Sequence, residues 1–178
     1  DVVGVEWKIR NNTTSTYIKN QKTTHPNAGK DTAICQNNLK LYANNPTIGA
    51  GKWYSLSSSA IFSDPTSHNT LVSNLPIGKD TLVWQISSVC DTLQDTIVVN
   101  NQSIPKPDLG VDKNQCVDSV HLVYNGAYSG VWTKLGDSIF SDTSKYLVDS
   151  LKLGTTSYVW TILNGLCSKY YKFNLLAV

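Results

Sequence analysis

Thr81-Leu82-Val83-Trp84-Gln85-Ile86-Ser87, then Cys90, then Thr96-Ile97-Val98-Val99, is the stretch on which the fold turns. Leu82, Trp84 and Ile86 alternate with polar or smaller neighbours, the period-two pattern of a half-buried strand. The β-branched run after the cysteine predicts a second strand, which places Cys90 at a hairpin corner. The same grammar returns downstream. Tyr158, Trp160 and Ile162 alternate, Cys167 stands at the corner, and Tyr170 to Leu176 form the next strand.

The rest of the chain repeats with them. Gly29, Asp31 and Cys35 recur as Gly110, Asp112 and Cys116, each 81 positions later (29 to 110). Trp53 answers to Trp132, Ile61-Phe62-Ser63-Asp64 to Ile139-Phe140-Ser141-Asp142, Trp84 to Trp160, and Cys90 to Cys167. Similarity over this distance predicts tandem modules, each with its own core, rather than a short-period solenoid. Leu39 and Leu41 match Val120 and Leu122 as an early strand. Lys52-Trp53-Tyr54 and Val131-Trp132-Thr133 each follow a Gly-bearing turn (Gly49, Gly51; Gly126, Gly130). A short strand near Thr70 to Ser73 and a turn at Leu75-Pro76-Ile77-Gly78, echoed by Leu151 to Gly154, complete the set. About seven short strands with turn signals every 8–12 residues or so describe an all-β, immunoglobulin-like sandwich.

Val5-Glu6-Trp7-Lys8-Ile9 also matches Leu82 to Ile86, with Tyr17-Ile18 in the next strand and Thr13 where a cysteine is expected. Residues 1–24 therefore read as the closing hairpin of a preceding copy. Pro26 and Pro107 precede the repeat glycines and mark short linkers. The domains expected are 25–104 and 105–178.

Charged residues make up only 16% of the chain and the formal net charge is +2, with the basic residues scattered singly. No nucleic-acid footprint and no membrane-binding patch emerges from that pattern. No apolar run approaches the roughly 20 residues of a membrane helix. The start at Asp1, without a signal peptide, is what a piece cut from a longer chain would show. Glu6 is the only glutamate and Met is absent, while Ser, Thr and Asn supply the polar surface. That vocabulary disfavours long helices and is common in secreted β proteins.

The four cysteines fall two per copy at equivalent places. Matched pairs in small domains predict the disulfides Cys35–Cys90 and Cys116–Cys167, one per domain, each worth roughly 4 kcal/mol by loop closure. Zinc would need closely spaced ligand pairs, which this chain lacks. Disulfides point to an oxidising, extracellular setting.

The string Ala28-Gly29-Lys30-Asp31 through Cys35, Gly51-Lys52-Trp53, the Leu75 to Gly78 turn and Leu82-Val83-Trp84 ending at Cys90 resembles the PKD-like, Ig-like repeats of large Bacteroidota surface proteins. These include gliding adhesins of the SprB type and other type IX-secreted adhesins. The resemblance covers both copies and the N-terminal remnant. The second copy departs from it in lacking the turn proline, and the remnant in lacking its cysteine; the sorting domain expected of the secretion route is not in this sequence. It implies a long, filamentous protein of the bacterial cell surface whose partners are neighbouring repeats, surface glycans or other filament chains.

Eight of the twelve aspartates are followed directly by Ser or Thr, and seven of those eight continue with Ala, Leu, Ile or Val. This resembles the Bacteroidota O-glycosylation motif, with candidate acceptors Thr32, Thr81, Thr92, Thr96, Ser119, Ser138 and Ser150. The competing reading is turn chemistry, since Asp and hydroxyl side chains cap backbone at strand ends.

Catalysis finds little support. His25, His68 and His121 have no match between copies, and no strained nucleophile turn or phosphate-cradling loop occurs. No cofactor is expected; calcium at Asp31 or Asp112, just past the linkers, is the one weak metal candidate, with a turn-forming aspartate the simpler reading. Tyr54, Tyr124, Tyr146 and Tyr170 are candidates for outward, sugar-stacking positions. The unmatched loops Asn44 to Ala50 and Ser57 to His68 are the places for a ligand. The sequence therefore points to a non-enzymatic stalk of tandem Ig-like domains, with a carbohydrate-binding module pair of a secreted enzyme as the alternative.

Overall fold

A computed structural model describes residues 2–9, 12–19, 22–57, 59–106, 113–115, 119–124, 126–136, 141–142, 146–150 and 152–177. In chain order the strands are β1 (Val2–Ile9), β2 (Asn12–Lys19), β3 (Thr32–Ile34), β4 (Leu39–Tyr42), β5 (Ala50–Ser55), β6 (Ile61–Phe62), β7 (Asn69–Ser73) and β8 (Gly78–Ser87). Then come β9 (Thr92–Asn101), β10 (Lys113–Gln115), β11 (Ser119–Val123), β12 (Ser129–Lys134), β13 (Ser141–Asp142), β14 (Tyr146–Ser150), β15 (Gly154–Asn164) and β16 (Cys167–Ala177). No helix occurs among the described residues. The chain divides into two compact units, Asp1–Thr32 with Asn38–Val99, and Ala33–Asn37 with Asn100–Val178.

The hairpin expected at the N-terminus is present: β1 and β2 pair antiparallel from Val2↔Lys19 to Ile9↔Asn12. One sheet is ordered β3-β9-β8-β5 and another β4-β7-β6; apart from Ala33 and Ile34 of β3 and the last two residues of β9, both belong to the first unit. Trp53 on β5 stands directly opposite Trp84 on β8. Their rings are 5.1 Å apart and tilted by 40°. Trp53 also stacks on Phe62 of the facing sheet at 6.5 Å, so one indole spans the interior. Leu41 and Val72 close the core from the second sheet.

The second unit repeats the plan with sheets β10-β16-β15-β12-β13 and β11-β14. Trp132 and Trp160 are again opposite one another in the register and tilted at 4.8 Å. Ile104, Leu122, Phe173 and Leu175 fill around them. The short strands differ: β6 pairs with β7 in the first copy, whereas β13 pairs with β12 in the second.

Two sequence readings are corrected here. Gly51 and Gly130 do not lie in turns; they sit inside β5 and β12. A Cβ on Gly51 would lie 2.2 Å from the Trp84 ring, and one on Gly130 2.6 Å from Trp160. The glycines are there to let an indole lie flat on backbone. Tyr124 is not outward-facing but 3% exposed, with its ring 5.0 Å from that of Trp160. The turn glycines Gly78 and Gly154 do adopt left-handed backbone, φ 99° and 104°, at the starts of β8 and β15.

Candidate functional site

Cys90 and Cys167 lie at hairpin corners, as the strand pattern predicted, but the cysteine pairing differs from the one expected. Cys35 is bonded to Cys167, 132 residues away, with Cα atoms 5.6 Å apart. Cys90 is an exposed free thiol. The expected Cys35–Cys90 bridge is therefore overturned, and Cys167 is not paired with Cys116, which lies outside the described residues. The physical reason is local. Cys35 belongs to the segment Ala33–Asn37, which groups with the second unit. There the Ile34 carbonyl accepts the Gln102 N–H at 2.8 Å and lies 3.6 Å from Cys167 Sγ.

That corner is built in detail. Strands β15 and β16 turn over Gly165, in left-handed backbone (φ 58°), and Leu166. Leu166 N–H donates to Gln102 Oε1 at 2.8 Å, and Asn164 Nδ2 donates to the Gln102 carbonyl at 3.0 Å. A Cβ on Gly165 would come within 2.3 Å of the Gln102 amide, so glycine admits that side chain. Lys169 Nζ donates to the Ile104 carbonyl at 3.0 Å and Tyr171 Oη to the Pro105 carbonyl at 3.4 Å. Residues Gln102 to Pro105 are thus strapped along the hairpin.

The corner of the first copy, Ser88 to Asp91, is made otherwise. Ser88 Oγ accepts the Cys90 N–H at 3.1 Å, and Ser88 N–H donates to the Asp91 carbonyl at 2.9 Å. The buried Thr23 hydroxyl donates to the Asp91 carboxylate and lies 2.7 Å from Ser88 Oγ. The Cys90 thiol is exposed.

Four of the eight aspartates of the Asp-Ser/Thr pairs bond here to backbone or to framework side chains, while Asp118 and Asp137 lie outside the described residues. Asp31 accepts the Val98 N–H at 2.8 Å, and Asp95 the Ala28 N–H at 2.7 Å. Asp80, 3% exposed, accepts the Ser55 hydroxyl at 3.0 Å. Asp149 accepts Lys134 Nζ at 2.8 Å and Tyr158 Oη at 2.5 Å. Burial works to raise the Asp149 pKa, but the bonds from Lys134 and Tyr158 and the lysine's charge outweigh it and hold the carboxyl below its ordinary value. Burial, then the bond to Asp149, pushes the Tyr158 phenol well above its ordinary value. Such capping is the turn chemistry set against glycosylation above.

Of the candidate acceptors, Thr92, Thr96, Ser119 and Ser150 are exposed, Thr32 and Thr81 are half-buried, and Ser138 lies outside the described residues. Ser119 and Ser150 face one another across β11 and β14. Among the described residues no three His, Cys, Asp or Glu side chains converge on a point that would hold a metal; Asp112 lies outside them. Of the outward tyrosines, Tyr170 is 76% exposed and Tyr54 half-buried, while the Tyr146 side chain lies outside the description. Sequence reasoning missed Tyr42, exposed beside an open groove of about 320 Å³ lined by Gly29, Lys30, Thr32, Leu39 and Ile97, with Lys40 Nζ 5.5 Å from its ring centre.

Comparison of the folded chain with solved structures finds immunoglobulin-like architecture. The insect immune protein hemolin aligns with TM-score 0.58 and 13% identity over 99% of this chain and 56% of its own. Extracellular domains 3–5 of Drosophila OTK align at 0.48 and 11% over 94% and 67%. The fibronectin(III)-like modules of Clostridium thermocellum CbhA align at 0.33 and 14% over 88% and 93%. The chain spans little more than half the length of hemolin. No protein-family description matches it, and no curated protein matches it in sequence. The fold is an Ig-like β-sandwich.

Proposed function

We propose that this chain is a non-enzymatic segment of a long bacterial cell-surface or secreted filament, its Ig-like repeats acting as a rigid, extracellular stalk for an adhesive region. The observation that carries the reading is the Cys35–Cys167 bond, which ties together cysteines of two copies of the sequence repeat. A bond of this kind suits a chain under tension. Force applied at the two ends passes through the sulfurs and spares the residues between them. The resemblance to gliding adhesins supports the same assignment, with neighbouring repeats as the first partners and glycans or other filament chains as outer ones.

Single-molecule pulling on the whole chain tests it. Reduction should release the 132-residue span, adding about 450 Å of extensible chain at about 3.3–3.6 Å per residue. Equal extension with and without reductant would refute the mechanical role. The second reading, carbohydrate binding, is favoured by exposed Tyr42 beside the groove. Glycan-array binding lost in Tyr42→Ala would support it over the stalk. O-glycosylation of Thr92, Thr96, Ser119 or Ser150 belongs to the filament reading, and an unmodified intact mass of native protein would end it.

A further inference from the structure

Cys90 is the first copy's counterpart of Cys167. Both are hairpin-corner cysteines of the repeat, 77 positions apart (90 to 167), and each follows an exposed apolar residue, Val89 or Leu166. At the second corner the cysteine is bonded to the opening motif, Gly-Lys-Asp-Thr-Ala-Ile-Cys, of the copy before it. The sequence of the strap that seats that motif recurs, at residues outside the described ones. Asn101-Gln102, whose glutamine holds both Ile34 and Leu166, has its match in Asn20-Gln21, 81 positions earlier. At the first corner Cys90 is an exposed, free thiol.

We propose that Cys90 is a linking site that forms a disulfide with the opening-motif cysteine of another copy of this repeat, as Cys167 does with Cys35. By the same rule Cys116, the opening cysteine of the second copy, is the donor for the corner of a further one. Two thiols are oxidised in the step, and a disulfide such as oxidised glutathione is reduced. The Cys90 thiolate displaces one glutathione to form a mixed disulfide, and the incoming thiolate displaces the second. One sulfur–sulfur bond forms, one breaks, and the two protons leave with the two glutathione thiols. The consequence is an array in which every copy is locked to the next by the same bond. The inference rests on the stalk reading for its purpose. Its test reads thiol chemistry rather than extension, so either can fail without the other.

The probe is the peptide Ala-Gly-Lys-Asp-Thr-Ala-Ile-Cys-Gln-Asn, the sequence of residues 28–37, added to the whole oxidised chain in a glutathione redox buffer. Peptide mapping should find it on Cys90 at about tenfold or greater excess over a scrambled peptide bearing the same cysteine, because docking raises the local thiol concentration. Cys90→Ser, an exposed change that leaves the fold intact, should abolish the adduct. A Cys90–Cys116 bond between two chains would name a second copy as the donor. Capture of the peptide without that bond would name a further repeat of one longer chain. Equal capture of the scrambled peptide would overturn the proposal.

Discussion

Gly51 and Gly130 show how much a single absent methyl can decide. Each lies two residues before a core tryptophan on the same strand face, and each is covered by the indole of the neighbouring strand. Gly51→Ala or Gly130→Ala should overpack that contact and cost about 1–3 kcal/mol, read as a lowered unfolding midpoint with altered near-ultraviolet dichroism of the indoles. An unchanged midpoint would contradict the contact. The tryptophans carry a cost of their own. The Nε1–H groups of Trp53, Trp84, Trp132 and Trp160 are buried without an acceptor. Trp84→Phe, which removes one orphan donor and keeps an aromatic ring, should therefore destabilise far less than Trp84→Ala, for which about 3–5 kcal/mol is expected. The Gly-x-Trp pattern was visible in both copies. Its spacing of two, the period of a strand, was the signal for a glycine within the sheet rather than a turn. Leu122 and Tyr124 carried the same signal, since alternation places both on the inner face.

At the level of elements, Asp149 joins three strands, taking bonds from Lys134 of β12 and Tyr158 of β15 while itself on β14. Its carboxyl titrates below its ordinary value of 3.8 in the folded chain. The unfolded chain thus takes up the proton first as pH falls. The stability it contributes is present above that value and lost as pH drops through the folded pKa. Tyr158 has the opposite sense: its folded phenol holds the proton past 10.0, so stability falls as pH rises beyond the unfolded pKa. Asp149→Asn should lower the thermal midpoint near neutrality, with the gap to the parent closing toward acid; Tyr158→Phe should flatten the alkaline decline. Thermal melts across pH check both, and an Asp149→Asn gap that widens in acid would contradict the assignment. Strands such as β8, β9, β15 and β16 were legible because hydrophobic alternation persists along them. The aspartate partners were not, because Lys134, Asp149 and Tyr158 meet only after three strands are arranged.

For the whole molecule the repeat revealed the architecture and concealed the connection. In a sequence that recurs, Cys35 has a corner cysteine 55 positions on in its own copy and an equivalent one 132 positions on in the next, so the repeat alone could not discriminate between them. What discriminates is which corner receives Ala33–Asn37, and that depends on the Gln102 strap and on Gly165, which leaves room for it. A bond that closes 132 residues should restrain the unfolded chain by about 5 kcal/mol in the loop-entropy account, against roughly 4 kcal/mol for the shorter loop. Rapid alkylation of the oxidised chain, then digestion without reductant and mass mapping of the cysteine peptides, examines that connection itself. The Cys35 and Cys167 peptides should appear joined and Cys90 alkylated; a Cys35–Cys90 peptide pair would contradict the account.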